Sequence, residues 1–200
     1  MYLSKIEIDW RYARDPYQWH RSLWQLFPGQ GVAERSFLFR MECPRPGQNV
    51  QLLLQSEAAP GEAAAGIRVV ARRDYPLSLH SGQFLRFRLI ANPIKTIRDG
   101  EGRLNRKGVV KSCRVPLLQE EQQEAWLSRK LSGAAMLESV IPTLRPPLYF
   151  RKNGKAGKLV TVTFDGVFQV VNPRVLAALI QTGIGPAKAF GCGLLSLARI

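Results

Sequence analysis

The sequence predicts an α+β protein of two tandem halves, each running β-α-β-β-α-β. Three observations predict it. Strand-like and helix-like segments interleave along the whole chain, the order of the first half is met again in the second, and the clearer helices carry their own start and stop residues. A length of 200 residues admits one large domain or two small ones.

In the first half, YLSKIEI (Tyr2–Ile8) alternates apolar and polar residues at the period of a half-buried strand. A helix is expected over DPYQWHRSLWQLF, with Asp15 as N-cap and Pro16 at the first helical position. Its Trp19, Leu23, Leu26 and Phe27 share one core-facing stripe, and PGQG stops it. Strands follow over residues 36–42 and 49–56, joined by the turn-rich CPRPGQ. The alanine-rich residues 57–66 are broken by Pro60 and Gly61, and read either as a short helix or as an irregular connection. Residues 67–75 are strand-like.

In the second half, residues 83–95 read as a strand ending in Asn-Pro. A basic, glycine-containing connection then leads to a helix over residues 116–131. Pro116 opens it, its acids come early and Arg129 and Lys130 come late, which complements the helix dipole. Residues 147–164 read as two strands around Asn153-Gly154, a hairpin signal. A helix with Asn172 as N-cap, Pro173 at its first position and Leu176, Leu179 and Ile180 as its stripe ends at Gly183, and residues 193–200 form a last strand. This order is the ferredoxin-like one, expected twice: over residues 1–80 and 83–200, with the boundary near PLSLHSG.

Lysine and arginine number 29 against 15 acidic residues, a formal charge of +14, and the sequence pI is near 10.4. Such an excess is the electrostatic footprint of a phosphate-backbone binder. A membrane-surface protein is disfavoured because no segment reads as a basic amphipathic helix with a wide apolar face. There is no apolar run of about 20 residues, and the start lacks a signal peptide's apolar stretch, so a cytoplasmic protein is expected. Cys43, Cys113 and Cys192 are far apart and read as reduced structural thiols. No metal-ligand spacing, paired-carboxylate motif or cofactor fingerprint is present, so neither metal nor cofactor is expected.

His20 lies at the edge of the first helix's apolar stripe, with Tyr17 and Trp24 on the same side. It is either a boundary histidine packed on Trp24 or a proton-transfer group. Nuclease chemistry without a metal points to RNA, whose own 2′-hydroxyl can attack the phosphate. His20 then moves a proton, with Tyr17 one turn away able to stabilise developing charge. Two cationic stretches are candidates for phosphate contact: Arg98, Arg103, Arg106, Lys107, Lys111 and Arg114 in one, and Arg151, Lys152, Lys155 and Lys158 around the hairpin in the other. Neither carries interleaved aromatics for base stacking. GIGPAKAFGCG, with Gly183, Gly185, Lys188, Gly191 and Gly193, matches neither a Walker loop nor a dinucleotide fingerprint. It is either a packing turn or a backbone cradle for phosphates.

MYLSKI, WHRSLWQLFPG, LRFRLIANPIKT, KGVVKSCRVPLL, AWLSRKL and GIGPAKAFGCGLLSLA together resemble the CasE type of CRISPR-associated endoribonuclease, the RNA-processing subunit of type I-E Cascade. The resemblance implies metal-independent cutting of the CRISPR transcript at the base of each repeat hairpin, leaving a 2′,3′-cyclic phosphate or 3′-phosphate and a 5′-hydroxyl. It also implies retention of the product stem-loop, assembly with other Cascade subunits, and a monomer when free. On it, His20 is the catalytic histidine, Tyr17 its partner in some members, and residues 151–158 and 183–193 are the RNA-contacting hairpin and loop. A non-catalytic RNA-hairpin-binding subunit is the alternative, and a basic DNA-binding protein a more distant one.

Overall fold

The computed structural model describes residues 1–13, 16–28, 36–42, 48–104, 107–152 and 154–200, without the side chains of Lys152 and Lys155. The expected N-cap Asp15, most of the PGQG stop and CPRPGQ turn, Cys43, Arg106 and Asn153 lie outside the described residues.

The first half comprises β1 (Tyr2–Ile8), α1 (Pro16–Trp24), β2 (Phe37–Met41), β3 (Val50–Ser56), the two-residue β4 (Ala63–Ala64) and β5 (Ile67–Asp74). They form an antiparallel sheet in the order β2-β3-β1-β5-β4. The second half comprises β6 (Phe84–Ala91), β7 (Ile94–Arg98), β8 (Ser112–Pro116), α2 (Glu120–Leu131), β9 (Ala135–Leu144), β10 (Leu148–Lys152), β11 (Lys155–Leu159), β12 (Val162–Val170), α3 (Pro173–Thr182) and β13 (Leu195–Arg199). Its main sheet is β13-β6-β12-β9, and β7-β8 and β10-β11 are separate two-stranded hairpins. In both main sheets the four long strands stand in the spatial order fourth, first, third, second, the ferredoxin-like order.

Each sheet buries one face under its helices. Ile6, Ile8, Leu52 and Leu54 pack with Trp19 and Leu23 of α1 in one core. Leu85, Phe87, Leu89, Phe164 and Phe168 pack with Trp126, Leu127, Leu131, Leu176 and Ile180 of α2 and α3 in the other. Polar bonds tie the two together. Buried Gln55 donates Nε2–H to the Ile180 carbonyl at 2.7 Å. Buried Arg40 on β2 donates to the Arg88 carbonyl at 3.4 Å and to Ser196 Oγ, and is neutralised by Glu42 at 2.8 Å.

Several expectations need correction. Among its described residues the first half lacks its second helix: of the two readings of residues 57–66 the irregular connection holds, broken by Pro60 and Gly61 and anchored by the Gly61 N–H on the Leu26 carbonyl at 2.8 Å. The expected basic connection after β6 is the β7-β8 hairpin. Pro116 ends β8 rather than opening α2, which starts at Glu120 after Gln119 without a side-chain cap. The second main-sheet strand of this half is β9, which the sequence reading passed over. The hairpin expected to supply that strand is an insertion beside the sheet. β9 is an edge strand, mostly exposed and interrupted by Pro142, so it lacks the alternation that marks a strand locally. α3 forms as expected. Asn172 Oδ1 accepts from the N–H of Arg174 at 3.1 Å and of Val175 at 3.2 Å, and Gly183 closes the helix with φ +78°.

Candidate functional site

α1 is regular for nine residues and then tightens. The N–H groups of Gln25, Leu26 and Phe27 bond three residues back, each at 3.1 Å, so Leu26 and Phe27 join the core after the helix has ended. This seats Trp19 and Leu23 in the core and leaves His20 half-buried at the helix edge. Its ring centroid lies 5.8 Å from that of Phe37 and 6.4 Å from that of Phe39, both on β2. Trp24 stands edge-on to it and donates its indole Nε1–H to His20 Nε2 at 3.2 Å.

Tyr17 leans toward the glycine-rich segment, its ring 6.3 Å from Phe190. Phe190 ends a 3₁₀ turn, Lys188–Phe190, that packs on α1. On its other side Phe190 lies 4.4 Å from Phe150 of β10. α1, the glycine-rich segment and the β10-β11 hairpin, distant in sequence, therefore meet around one aromatic row. Sequence reasoning singled out neither Phe150 nor Phe190; an apolar aromatic in a glycine-rich loop reads as ordinary packing.

The glycines of this segment permit other close approaches. Gly183, Gly185, Gly191 and Gly193 all have positive φ, between +78° and +93°. Gly183, Gly191 and Gly193 are buried, against Leu38, Phe39 and the Ile184 backbone respectively. Gly185 approaches the Trp126 ring. Lys188 donates Nζ–H to the Thr182 carbonyl at 2.6 Å, at the C-terminal end of α3 where a cation suits the helix dipole.

The cations divide differently from the sequence picture. Arg114 of β8 and Lys158 of β11 line one groove with Pro186 and Phe190. An adjoining groove, again with Arg114 and Pro186, is lined by Lys130, Lys188 and Trp126. Lys130, explained in sequence by the dipole of α2, thus joins this surface, with Nζ 6.0 Å from the Trp126 ring centroid. Arg151 on β10 is exposed, as are Arg98 at the end of β7 and Lys107 and Lys111 in the connection between β7 and β8. Arg103 is ion-paired locally, with Asp99 at 2.8 Å and Glu101 at 3.4 Å. Arg106 and the side chains of Lys152 and Lys155 lie outside the described residues. No helix is long and apolar enough to cross a membrane among the described residues.

A helix that carries a half-buried histidine and packs, through Tyr17, on the Phe190 wall of a cation-lined groove suits a protein that acts on nucleic acid, and comparison with known proteins agrees. Residues 1–199 match the family described as CRISPR associated protein, and the chain belongs to it. It is 48% identical over 200 residues, all of both chains, to the CRISPR system Cascade subunit CasE of Escherichia coli strain K12. Among solved structures, it is similar to the CRISPR-associated protein Cas6e of E. coli K-12, with a TM-score of 0.87, 46% identity and full coverage of both chains. It is also similar to the CRISPR endoribonuclease Cse3 bound to a 19 nt RNA, with a TM-score of 0.80, 30% identity and full coverage of both chains.

Proposed function

We propose that this chain is an endoribonuclease that cuts CRISPR repeat RNA at the base of its hairpin, retains the product stem and works as a Cascade subunit in the cytoplasm. The observation that carries the proposal is the aromatic row Tyr17–Phe190–Phe150, which brings the helix bearing His20 against the cationic hairpin. The relatives support it: one is named a Cascade subunit, and another is an endoribonuclease solved with RNA.

In this reading the units are residues 1–80, carrying His20, and residues 83–200, carrying the RNA-binding surface. Arg98, Lys107, Lys111, Arg114, Arg151 and Lys158, with Arg106, Lys152 and Lys155, hold phosphates of the stem by charge and shape. The glycine-rich segment acts chiefly by holding α1 and the hairpin together. With the RNA fixed in line, its 2′-oxygen loses a proton and bonds to phosphorus while the 5′-oxygen leaves and gains a proton. His20 transfers one of these protons, and Tyr17 supports the charge that develops on phosphate. No step in this scheme calls for a metal.

A single 2′-deoxy substitution at the cut nucleotide tests the scheme. It should abolish cleavage and leave binding intact, and a chelator should change neither. A deoxy substrate cut at the normal rate would overturn it. A second reading rests on the packing of His20 among Phe37, Phe39 and Trp24, which suits a structural histidine in a non-catalytic RNA-binding subunit. Stable binding of repeat RNA without any cutting would favour that reading.

A further inference from the structure

His20 and Trp24 stand one turn apart on α1, and the indole Nε1–H points at His20 Nε2 across 3.2 Å. An indole nitrogen donates and cannot accept, so this bond requires a lone pair on Nε2. A neutral imidazole carries its single proton on one nitrogen, which must then be Nδ1. Placing a proton on Nε2 breaks the bond, since both groups would then be donors. The donor is itself held in place. Trp24 packs edge-on against Phe37 at 5.1 Å between centroids, and Phe37 stacks on Phe27 at 5.3 Å and 11°.

We propose that Trp24 is a positioning residue that selects the Nδ1–H tautomer of His20 and keeps Nε2 unprotonated in the free protein. The neutral form is favoured because only it accepts the indole proton. Removing the indole N–H should therefore make the ring easier to protonate. Other titratable or charged residues sit on α1 and the elements packed about it. Among the described residues these include Tyr17 and Arg21 on the helix, Arg11 and Tyr12 in the turn before it, and Lys188 in the glycine-rich segment. Tyr149, Arg151 and Lys152 lie on β10, and Arg40 on β2 is paired with Glu42. All are the same in wild type and Trp24→Phe, so a difference between the two reports the indole N–H.

The test is nitrogen NMR on the full chain labelled with 15N-histidine. Only two histidines are present, and His80→Gln assigns the signals. In neutral wild-type protein Nδ1 should be protonated and Nε2 not. Trp24→Phe keeps an aromatic ring but no donor; it should move population to the Nε2–H tautomer and raise the midpoint of His20 titration by about half to one pH unit. A wild-type spectrum with the proton on Nε2 overturns the proposal, as does a Trp24→Phe protein with unchanged tautomer and midpoint. The wild-type spectrum decides the tautomer even where the variant does not fold. The inference rests on the proposed function only in calling His20 catalytic. In single-turnover cleavage, the limb of the pH–rate profile that reports His20 should move up by the same amount in Trp24→Phe. A His20→Ala protein that cleaves normally would sink the catalytic role and leave the tautomer standing.

Discussion

The rings of Phe150 and Phe190 lie 4.4 Å apart between centroids, and this pair joins the cationic β10-β11 hairpin to the segment that packs on α1. It requires a bare backbone opposite: Phe150 pairs in register with Gly157, where a Cβ would collide with the Phe150 ring. The hairpin proposed to grip RNA and the helix proposed to cut it are thereby packed on one segment.

Phe190→Ala tests that coupling. The lost aromatic pairing is worth only about 0.5–1.5 kcal/mol, so RNA affinity should change by no more than a few-fold. The single-turnover cleavage rate should fall by about 10-fold or more, because small displacements of a reacting group are costly. Filter binding and rapid-quench cleavage on the same variant separate the two effects. Equal losses in both would remove Phe190 from any role in alignment.

The cationic surface makes a different prediction. Arg151→Ala and Lys158→Ala should each weaken RNA binding and reduce the slope of log affinity against log salt by roughly 0.7–0.9. At saturating protein, cleavage should stay near the wild-type rate. Lys188→Ala should reduce the slope less than either, because the Thr182 carbonyl holds its ammonium at the end of α3; it should also lower thermal stability, by about 1 kcal/mol. A slope reduced as far as for Arg151→Ala would place Lys188 on the phosphates.

Gly183 ends α3 at φ +78°, and a Cβ there would stand 2.7 Å from Leu38 Cδ2 across the junction between the two cores. Gly183→Ala combines strain in a backbone conformation that favours glycine with overpacking, together about 2 kcal/mol or more. Differential scanning calorimetry should show Tm lowered by roughly 3–8 °C. An unchanged Tm would mean that the junction yields freely.

Burial pushes the Cys192 thiol up to about 12, with Arg145 offsetting part of the effect. The fold thus favours the protonated thiol. That stabilisation is complete below the ordinary thiol value of about 9 and is lost as pH rises from there toward 12. At pH 8, iodoacetamide followed by peptide mapping should modify exposed Cys113 readily and Cys192 only after unfolding. Rapid labelling of Cys192 in the native protein would contradict its enclosed setting.

Legibility in the sequence followed the range of the interactions involved. α3 was readable end to end because Asn172, Pro173, the apolar stripe and Gly183 are all local signals that agree. Pro116 misled, since a proline suits the end of the edge-exposed β8 as well as the start of a helix. β9 was hidden because its identity as a strand comes from pairing with β12, a distant partner. At the site, His20 stood out by residue type alone. Helical spacing already placed Trp24 beside His20, but Phe150 and Phe190 carry no chemical signature, and only the fold brings them to Tyr17 and to each other. The glycine-rich segment was legible as a place of close approach, and the protein's own Leu38, Phe39 and Trp126 approach it.

The most direct measurement is cleavage of the organism's own repeat RNA by wild-type and His20→Ala protein, with product ends mapped and binding measured in parallel. Wild type should release a 5′-hydroxyl fragment and leave a cyclic or 3′-phosphate at the base of the stem. His20→Ala should bind within a few-fold of wild type yet cleave about 10²–10⁴ times more slowly. Cleavage by His20→Ala at the wild-type rate, with the same ends, would contradict catalysis by this histidine.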